Sequence, residues 1–315
     1  MALNIDDVFL DTHFNLLTQE INQLTNQMFE WIADGIPGAI IYGRARIGKT
    51  RAMLAVSSKI HEKYGRELPI YMYTATPHTP TDRYFYSELL KMVGNINFEK
   101  GTITALKERL IAELISVSVS TASRRIIFFI DEASHFTDKD YLWLMDVYNH
   151  LNIRNIHLSV FLFGTEDLKS KKEALIIARQ HQIVGRFMVE EVMFHGIRSI
   201  KDMTICLLNL DTPQKLPDGK KIIFTKEFFP NAFQDGRRFA CEAENILKIY
   251  EQNMKRYNIP TTSEIPMMYF MSMLRYCLKN FGKYGESMYF PNEECWEKAI
   301  LHSGYLAAER IYFNV

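Results

Sequence analysis

Residues 43 to 50 read Gly43-Arg44-Ala45-Arg46-Ile47-Gly48-Lys49-Thr50, a complete G-x-x-x-x-G-K-T phosphate loop. The motif works only as the turn between a strand and a helix, so it dictates the local fold before any other residue is read. The flanks agree: an apolar run, Gly38-Ala39-Ile40-Ile41-Tyr42, precedes it, and a helical stretch begins at Arg51. Glycines let the backbone curl until successive N–H groups point inward at a β-phosphate. Lys49 adds a point charge for the β/γ oxygens, and the Thr50 hydroxyl is placed to ligate Mg²⁺. The helix N-terminus behind them presents its positive dipole end. Three fixed positions and a two-way fourth recur by accident in roughly one chain of this length in a hundred. The flanking context lowers that further, so an ordinary glycine turn with an exposed lysine is the weaker reading.

Composition narrows the classes. At 315 residues the chain holds one large or two modest domains, long enough to bury a sizeable core. Lys plus Arg number 37 and Asp plus Glu 37, so no global basic field advertises nucleic acid. DNA contact has to come from a local patch, or from many subunits repeating a few residues. Asp6 and Asp7, without a basic n-region, argue against a secretory signal. No apolar run approaches the roughly eighteen residues of a membrane span. Cys206, Cys241, Cys277 and Cys295 are widely spaced with no C-x-x-C, the pattern of reduced, mostly buried thiols in a cytosolic protein. The nine histidines form no H-E-x-x-H-type cluster, and the only metal expected is Mg²⁺ accompanying nucleotide.

Apolar periodicity supplies the rest of the plan. A first helix is expected over residues 11–34, with Phe14, Leu17, Ile21, Leu24, Met28 and Trp31 at three- and four-residue steps. Strands are read at 38–42, 70–75, 125–130 and 158–163, with a fifth over Phe187 to Phe194. Between them fall helices at 49–63, 82–92, 104–117, 138–151 and 168–180. Strands alternating with helices argue an α/β fold, a parallel five-stranded sheet covered on both faces. After about Ile197 the pattern turns helical, at 198–209, 226–232, 237–256, 264–280 and 291–308. Pro213, Pro217 and Gly219 mark a loop, and Thr262 or Ser263 is a plausible N-cap after Pro260. The expected organisation is an N-terminal helical segment (1–35), an α/β core (36–197) and a C-terminal helical domain and tail (198–315). The aromatics of that tail, Tyr269, Phe270, Tyr276, Phe281, Tyr284, Tyr289 and Phe290, read as core rather than as a partner surface.

The second half of a nucleotide site follows the buried strand 125–130, which closes on Asp131-Glu132. Asp131 at such a strand end can hold a Mg²⁺ hydration shell, and Glu132 can orient and deprotonate an attacking water. Solvated acids opening the next helix are the alternative, and the phosphate loop upstream weighs against it. Thr165, after Phe163-Gly164 at the next strand tip, can touch the γ-phosphate or the attacking water, or be a simple turn residue. Arg186, just before the expected fifth strand, suits an arginine finger reaching into a neighbouring subunit's site; a surface or packing arginine is the alternative. Arg237 and Arg238, in Asp235-Gly236-Arg237-Arg238-Phe239, stand where a sensor-2 arginine belongs, and the sequence does not choose between them. Nucleotide contacts are thus expected from Gly43, Arg46, Gly48, Lys49, Thr50 and Arg51, with Arg237 and Arg238.

The order of phosphate loop, Asp-Glu strand, polar strand tip, arginine and helical lid resembles the AAA+ ATPase superfamily. Within it, the chain is most similar to the TnsC/TniB family of transposition regulators. The residues that carry the likeness are Gly35-Ile36-Pro37-Gly38 leading into Tyr42 to Thr50, Ile130-Asp131-Glu132-Ala133-Ser134-His135, Phe163 to Leu168, Gly185-Arg186-Phe187 and Gly236-Arg237-Arg238. It spans roughly residues 10 to 255. The resemblance implies an ATPase that binds ATP with Mg²⁺ between protomers and assembles into rings or helical filaments on double-stranded DNA. It implies partners too: a TniQ-type target-selection protein and transposase subunits. A cytoplasmic bacterial protein, on the nucleoid when bound to DNA and with no membrane partner, would follow. DNA contacts in such assemblies go to phosphates, and Lys100, Thr102, Lys107 and Arg109 are the candidates. Lys107 and Arg109 could equally be the solvated face of a helix. The Ser/Thr-rich run Ser116 to Ser123 is a further candidate, or a plain polar loop. Rival readings are a helicase loader or replication initiator with the same core, and a non-hydrolysing ATP-dependent scaffold. A P-loop kinase is disfavoured by the Asp-Glu pair and the helical second domain.

Overall fold

The computed structural model describes residues 16–119, 121, 124–216, 219, 221–260 and 264–314. Asp6, Asp7, Phe14, Ser120, Ser123, Pro217, Thr262 and Ser263 therefore lie outside the described residues. The chain forms two compact units. One comprises Gln23–Arg44 and Lys49–Phe194; the other gathers residues up to Asn22, Ala45–Gly48 and the chain from His195 onward.

The first unit is built on a five-stranded sheet, β1 (Gly38–Tyr42), β2 (Ile70–Thr74), β3 (Arg125–Asp131), β4 (His157–Gly164) and β5 (Glu190–Met193), in the order β2-β3-β4-β1-β5. Every pairing is parallel. Near-continuous apolar runs make β1, β3 and β4 strands that are buried on both faces. Alternate side chains divide between two layers. Ile126, Phe128, Ile130, Val160 and Leu162 join a core shared with Leu89, Leu110, Leu144 and Phe187. On the opposite parity Phe161 lies 5.6 Å from Phe129 and stacks on Trp31 at 6.0 Å. Trp31 belongs to α1 (Gln19–Ala33), which α2 (Lys49–Tyr64) joins through a Tyr64 hydroxyl donating to Phe29 O at 3.2 Å. The remaining helices are α3 (Asp82–Met92), α4 (Ile103–Val119), α5 (Asp138–Asn152), α6 (Asp167–Ile177) and α7 (His181–Phe187). Helix α5 opens on a capping box in which Thr137 and Asp140 satisfy each other's backbone amides.

The fifth strand is shorter than expected at both ends, and its expected first residue, Phe187, instead closes α7, buried with Ile183 on one helical face. Only Glu190–Met193 remain to pair with β1.

In the second unit, α8 (Ile200–Asp211) is followed by a small antiparallel pair, β6 (Gln214–Lys215) with β7 (Lys221–Ile222), where a loop was expected. The helix expected at 226–232 is two, α9 (Phe224–Phe228) and α10 (Pro230–Gln234). Pro230 excludes the α conformation from the residue before it, and Phe229 sits at φ −136°, ψ 63°. A 3₁₀ turn, Phe239–Glu242, leads into α11 (Ala243–Arg256). Helix α12 (Met267–Phe281) starts after Pro266. The last expected helix is also divided, into α13 (Glu293–His302) and α14 (Tyr305–Phe313), by Gly304 at φ +79°. A left-handed residue ends a helix. Trp296, Phe224, Phe228, Phe239, Phe270 and Tyr305 fill the core of this unit. Of the tail aromatics, Tyr269, Phe270, Phe281 and Phe290 are buried, Tyr276 is half-buried, and Tyr284 and Tyr289 are exposed.

Among the described residues no helix is long and apolar enough to cross a membrane.

Candidate nucleotide-binding site

Sheet order brings three strand ends together. Strands β3, β4 and β1 are consecutive neighbours, so Asp131, Gly164 and Tyr42 end side by side at the carboxyl edge, the edge where open α/β sheets bind ligands. The phosphate loop leaves β1 there. Gly43 N donates to Gly164 O at 3.3 Å, and a Cβ on Gly43 would lie 2.3 Å from Phe194 O. Only glycine fits at that point. Arg46 (φ +65°) and Gly48 (φ +106°) are left-handed, turning the loop into a concave run of backbone amides ahead of α2.

Lys49 is 7% exposed, and its ammonium donates to Gly43 O and Arg44 O, both at 2.8 Å. The Thr50 hydroxyl donates to Asp131 Oδ2 at 2.6 Å. Residues 81 positions apart in sequence thus form one oxygen pair at the sheet edge. This pair fits Mg²⁺, a hard ion that takes oxygen ligands, usually keeps several waters and uses one or two protein oxygens. Asp131 is buried, its Oδ1 accepting from Glu132 N at 3.0 Å and its carbonyl from Ala75 N at 2.9 Å. Glu132 then turns left-handed, at φ +51°, and opens the 3₁₀ turn Ala133–His135. A non-glycine residue held there stores strain of the kind concentrated at functional sites.

Thr165 follows Gly164 at the tip of β4. Its hydroxyl donates to Asp167 Oδ2 at 2.9 Å and lies 3.4 Å from Ser134 Oγ. Arg51 occupies the first turn of α2, half-buried. Arg186 lies on α7, ahead of β5. It is half-buried along α5, 3.5 Å from Met145 Sδ and 3.4 Å from Asn149 Oδ1, and forms no ion pair among the described residues.

In the other unit the crest of the loop meets the start of α12. Arg46 Nη1 donates to the Tyr269 hydroxyl at 3.1 Å, Met268 N donates to Arg46 O at 3.2 Å, and a Cβ on Gly48 would stand 3.5 Å from Met267 Cβ. Arg237 and Arg238 differ in setting. Arg238 is committed locally, 3.8 Å over the Phe233 ring and donating to Phe233 O at 3.0 Å. Arg237 is the more exposed, 3.8 Å from Glu242. Asp211 accepts from Phe239 N and Ala240 N at 3.0 and 2.9 Å, which fixes the backbone just past the arginines.

The four DNA candidates lie at the start of α4 and just before it. Lys107 pairs with Asp146 at 2.6 Å, and Arg109 donates to Asn97 O and Lys100 O at 2.7 and 3.0 Å. Thr102 Oγ1 accepts from Ala105 N at 3.3 Å at the start of α4, and Lys100 is exposed. The described part of the Ser/Thr run is largely helix, with Ser118 and Thr121 buried.

A feature with no signal in the sequence is a small recess, with room for about one water, lined among others by Thr18, Gln19, His195, Gly196 and Met267. Glu264 fixes two of the lining residues, accepting from Gly196 N at 2.9 Å and lying 3.2 Å from His195 Nδ1. The buried Gln19 Oε1 has no hydrogen-bond partner among the described residues. Burial raises the pKa of the neighbouring Glu20, against the opposing charge of Arg198 2.7 Å away. Contacts between positions some 180 residues apart leave no local signal.

Residues 37–171 match the family model of the AAA domain (AAA_22). The sheet order and phosphate loop are accordingly those of an AAA+ P-loop α/β core. No curated protein matches the chain in sequence. Among solved structures, ORC2 of Aeropyrum pernix in ADPNP–ADP complexes is similar at TM-score 0.52 and 14% identity, over 94% of this chain and 71% of that one. ORC1 of the same organism, in complex with DNA, gives 0.46 at 14% identity over 98% and 87%. Domain III of Thermotoga maritima DnaA, a replication initiation protein, gives 0.40 at 14% over 81% and 93%. At such identity a likeness speaks to fold alone, and only the first reaches 0.5.

Proposed function

We propose that the chain is an ATPase that assembles on double-stranded DNA in response to ATP, and that it serves DNA transposition by linking a TniQ-like target-selection protein to the transposase. The observation that carries the nucleotide part is the 2.6 Å contact of Thr50 with Asp131, next to buried Lys49 and strained Glu132. Lys49, Gly43, Arg46, Gly48, Thr50 and Arg51 hold the phosphates, with Lys49 exchanging its two carbonyl acceptors for phosphate oxygens. Thr50 and Asp131 hold Mg²⁺, which when bound neutralises charge on the β- and γ-phosphates. Glu132 takes the proton from the attacking water, and Thr165 orients the reacting groups.

Arg186 acts in trans, since among the described residues no carboxylate neutralises it. Arg237, less committed than Arg238, is the better sensor-2 candidate. Residues 1–35, 36–197 and 198–315 serve as segment, core and helical domain of this machine. DNA contact rests on Lys100 and Thr102, with Arg109 supporting their loop and Lys107, paired with Asp146, as a further candidate.

The test joins turnover to assembly. Glu132→Gln should abolish phosphate release from Mg-ATP while retaining nucleotide binding. Electron microscopy with duplex DNA and a slowly hydrolysed ATP analogue should show rings or filaments. Persistent monomers overturn the assembly reading. Absence of turnover in the parent chain, even with DNA, favours the non-hydrolysing scaffold. A gene neighbourhood with a transposase and a TniQ-like protein supports the transposition role, and a replicative helicase in their place supports a helicase loader.

A further inference from the structure

Three polar side chains meet at the tip of β4 in an arrangement that sets the direction of a single proton. Thr165 Oγ1 lies 2.9 Å from Asp167 Oδ2 and 3.4 Å from Ser134 Oγ. An ionised carboxylate only accepts, and a threonine hydroxyl carries one proton. That proton therefore points to Asp167, and Ser134 is the donor in the longer contact. The close approach depends on Gly164. A Cβ there would lie 2.6 Å from Ser134 Oγ and 3.2 Å from Leu168 Cβ, pushing the serine off the tip. Ser134 is held in turn by the 3₁₀ turn that begins at left-handed Glu132, so the Glu132 backbone and the Thr165 hydroxyl are registered to each other through one short turn.

We propose that Asp167 and Ser134 are positioning residues that present Thr165 to the reaction as an acceptor only. The inference rests on the hydrolytic reading above and sharpens it, because Thr165 alone could face either the γ-phosphate or the attacking water. Phosphate oxygens are acceptors and offer Thr165 nothing once its proton is spent on Asp167. Water has protons to give. With one lone pair taken by Ser134, the other accepts from the attacking water and aims its oxygen, while Glu132 receives the second proton.

The experiment is a double-mutant cycle on the full chain with duplex DNA, reading kcat for Mg-ATP and Kd for a slowly hydrolysed analogue. Asp167→Ala should lower kcat about tenfold, the loss of one hydrogen bond realised in the transition state. The analogue Kd should stay within about twofold of parent. Asp167→Asn, which keeps an acceptor oxygen, should restore most of the rate. In a Thr165→Val background Asp167→Ala should cost nothing further, because Asp167 acts only through Thr165. A role confined to starting α6 predicts the opposite, losses that multiply or a change in Kd. Parent-like kcat in Asp167→Ala, or multiplying losses, overturns the inference alone. A parent chain without turnover overturns the hydrolytic reading and this inference with it.

Discussion

Lys49→Ala separates two roles that the structure gives to one side chain. Lys49 is 7% exposed, and its ammonium donates to Gly43 O and Arg44 O at 2.8 Å each. Hydrogen bonds involving a charged group contribute about 1.5–3 kcal/mol net apiece. Loop carbonyls regain water once the lysine is gone, so the loss is well below the sum for two such bonds, about 1.5 kcal/mol for the pair. At about 2 °C per kcal/mol for a chain of this size, Tm without nucleotide should fall by about 3 °C. Mg-ATP at a hundredfold excess over its Kd should stabilise the parent by about 2.7 kcal/mol, a rise of about 5 °C. The variant should show no such rise, and should lose ATP-dependent assembly with it. Differential scanning calorimetry with and without Mg-ATP reads both effects. A variant that melts with the parent in the absence of nucleotide refutes the structural role of the two carbonyl contacts. One that keeps the ATP-induced rise refutes the assignment of the loop itself.

Arg186→Ala should leave nucleotide binding by isolated protomers near parent level while impairing turnover or oligomer formation; parent-like behaviour in both phosphate release and light scattering removes the finger assignment. Burial raises the Glu20 pKa above its ordinary value, partly offset by Arg198, so the folded state holds this proton more tightly than the unfolded one. Its contribution to stability is therefore present below the ordinary carboxylate pKa and is lost as pH rises through the raised value. Glu20→Gln should flatten that component of the Tm–pH curve above about pH 4.5, and a curve parallel to the parent's shows that Glu20 is not the group responsible.

The parts of the site legible in sequence are those whose chemistry is written in contiguous residues. Gly43 to Thr50 announce a backbone shape, and the apolar run 126–130 announces a strand buried on both faces, so its last residue has to emerge at the sheet edge as Asp131. Two local rules then place Thr50 near Asp131. Signals that depend on breaks were present but under-read. Phe229-Pro230 and Gly304 each divide a continuous apolar periodicity, because φ/ψ restrictions interrupt a helix without disturbing its pattern. Helix α7 was hidden differently: its seven residues bury only two side chains, too few for a period to show. What could not be read were pairings set by tertiary packing, among them Asp211 with the amides of Phe239 and Ala240, Lys107 with Asp146, and Glu264 with Gly196.

Lys49 and Thr50 stand next to each other and are prepared in opposite ways. Thr50 already touches Asp131, so its hydroxyl and the carboxylate stand together where they would hold Mg²⁺. Lys49 instead is bound to the loop's own carbonyls, and binding phosphate means leaving two contacts of about equal length. Apparent affinity is the intrinsic affinity reduced by that prior commitment. The exchange favours a ligand with several negative oxygens over one with few, because only a concentrated anionic acceptor outcompetes two carbonyls for one ammonium. A nucleotide diphosphate and its triphosphate should therefore differ more in affinity for the parent than for Lys49→Ala, even where the variant binds both weakly.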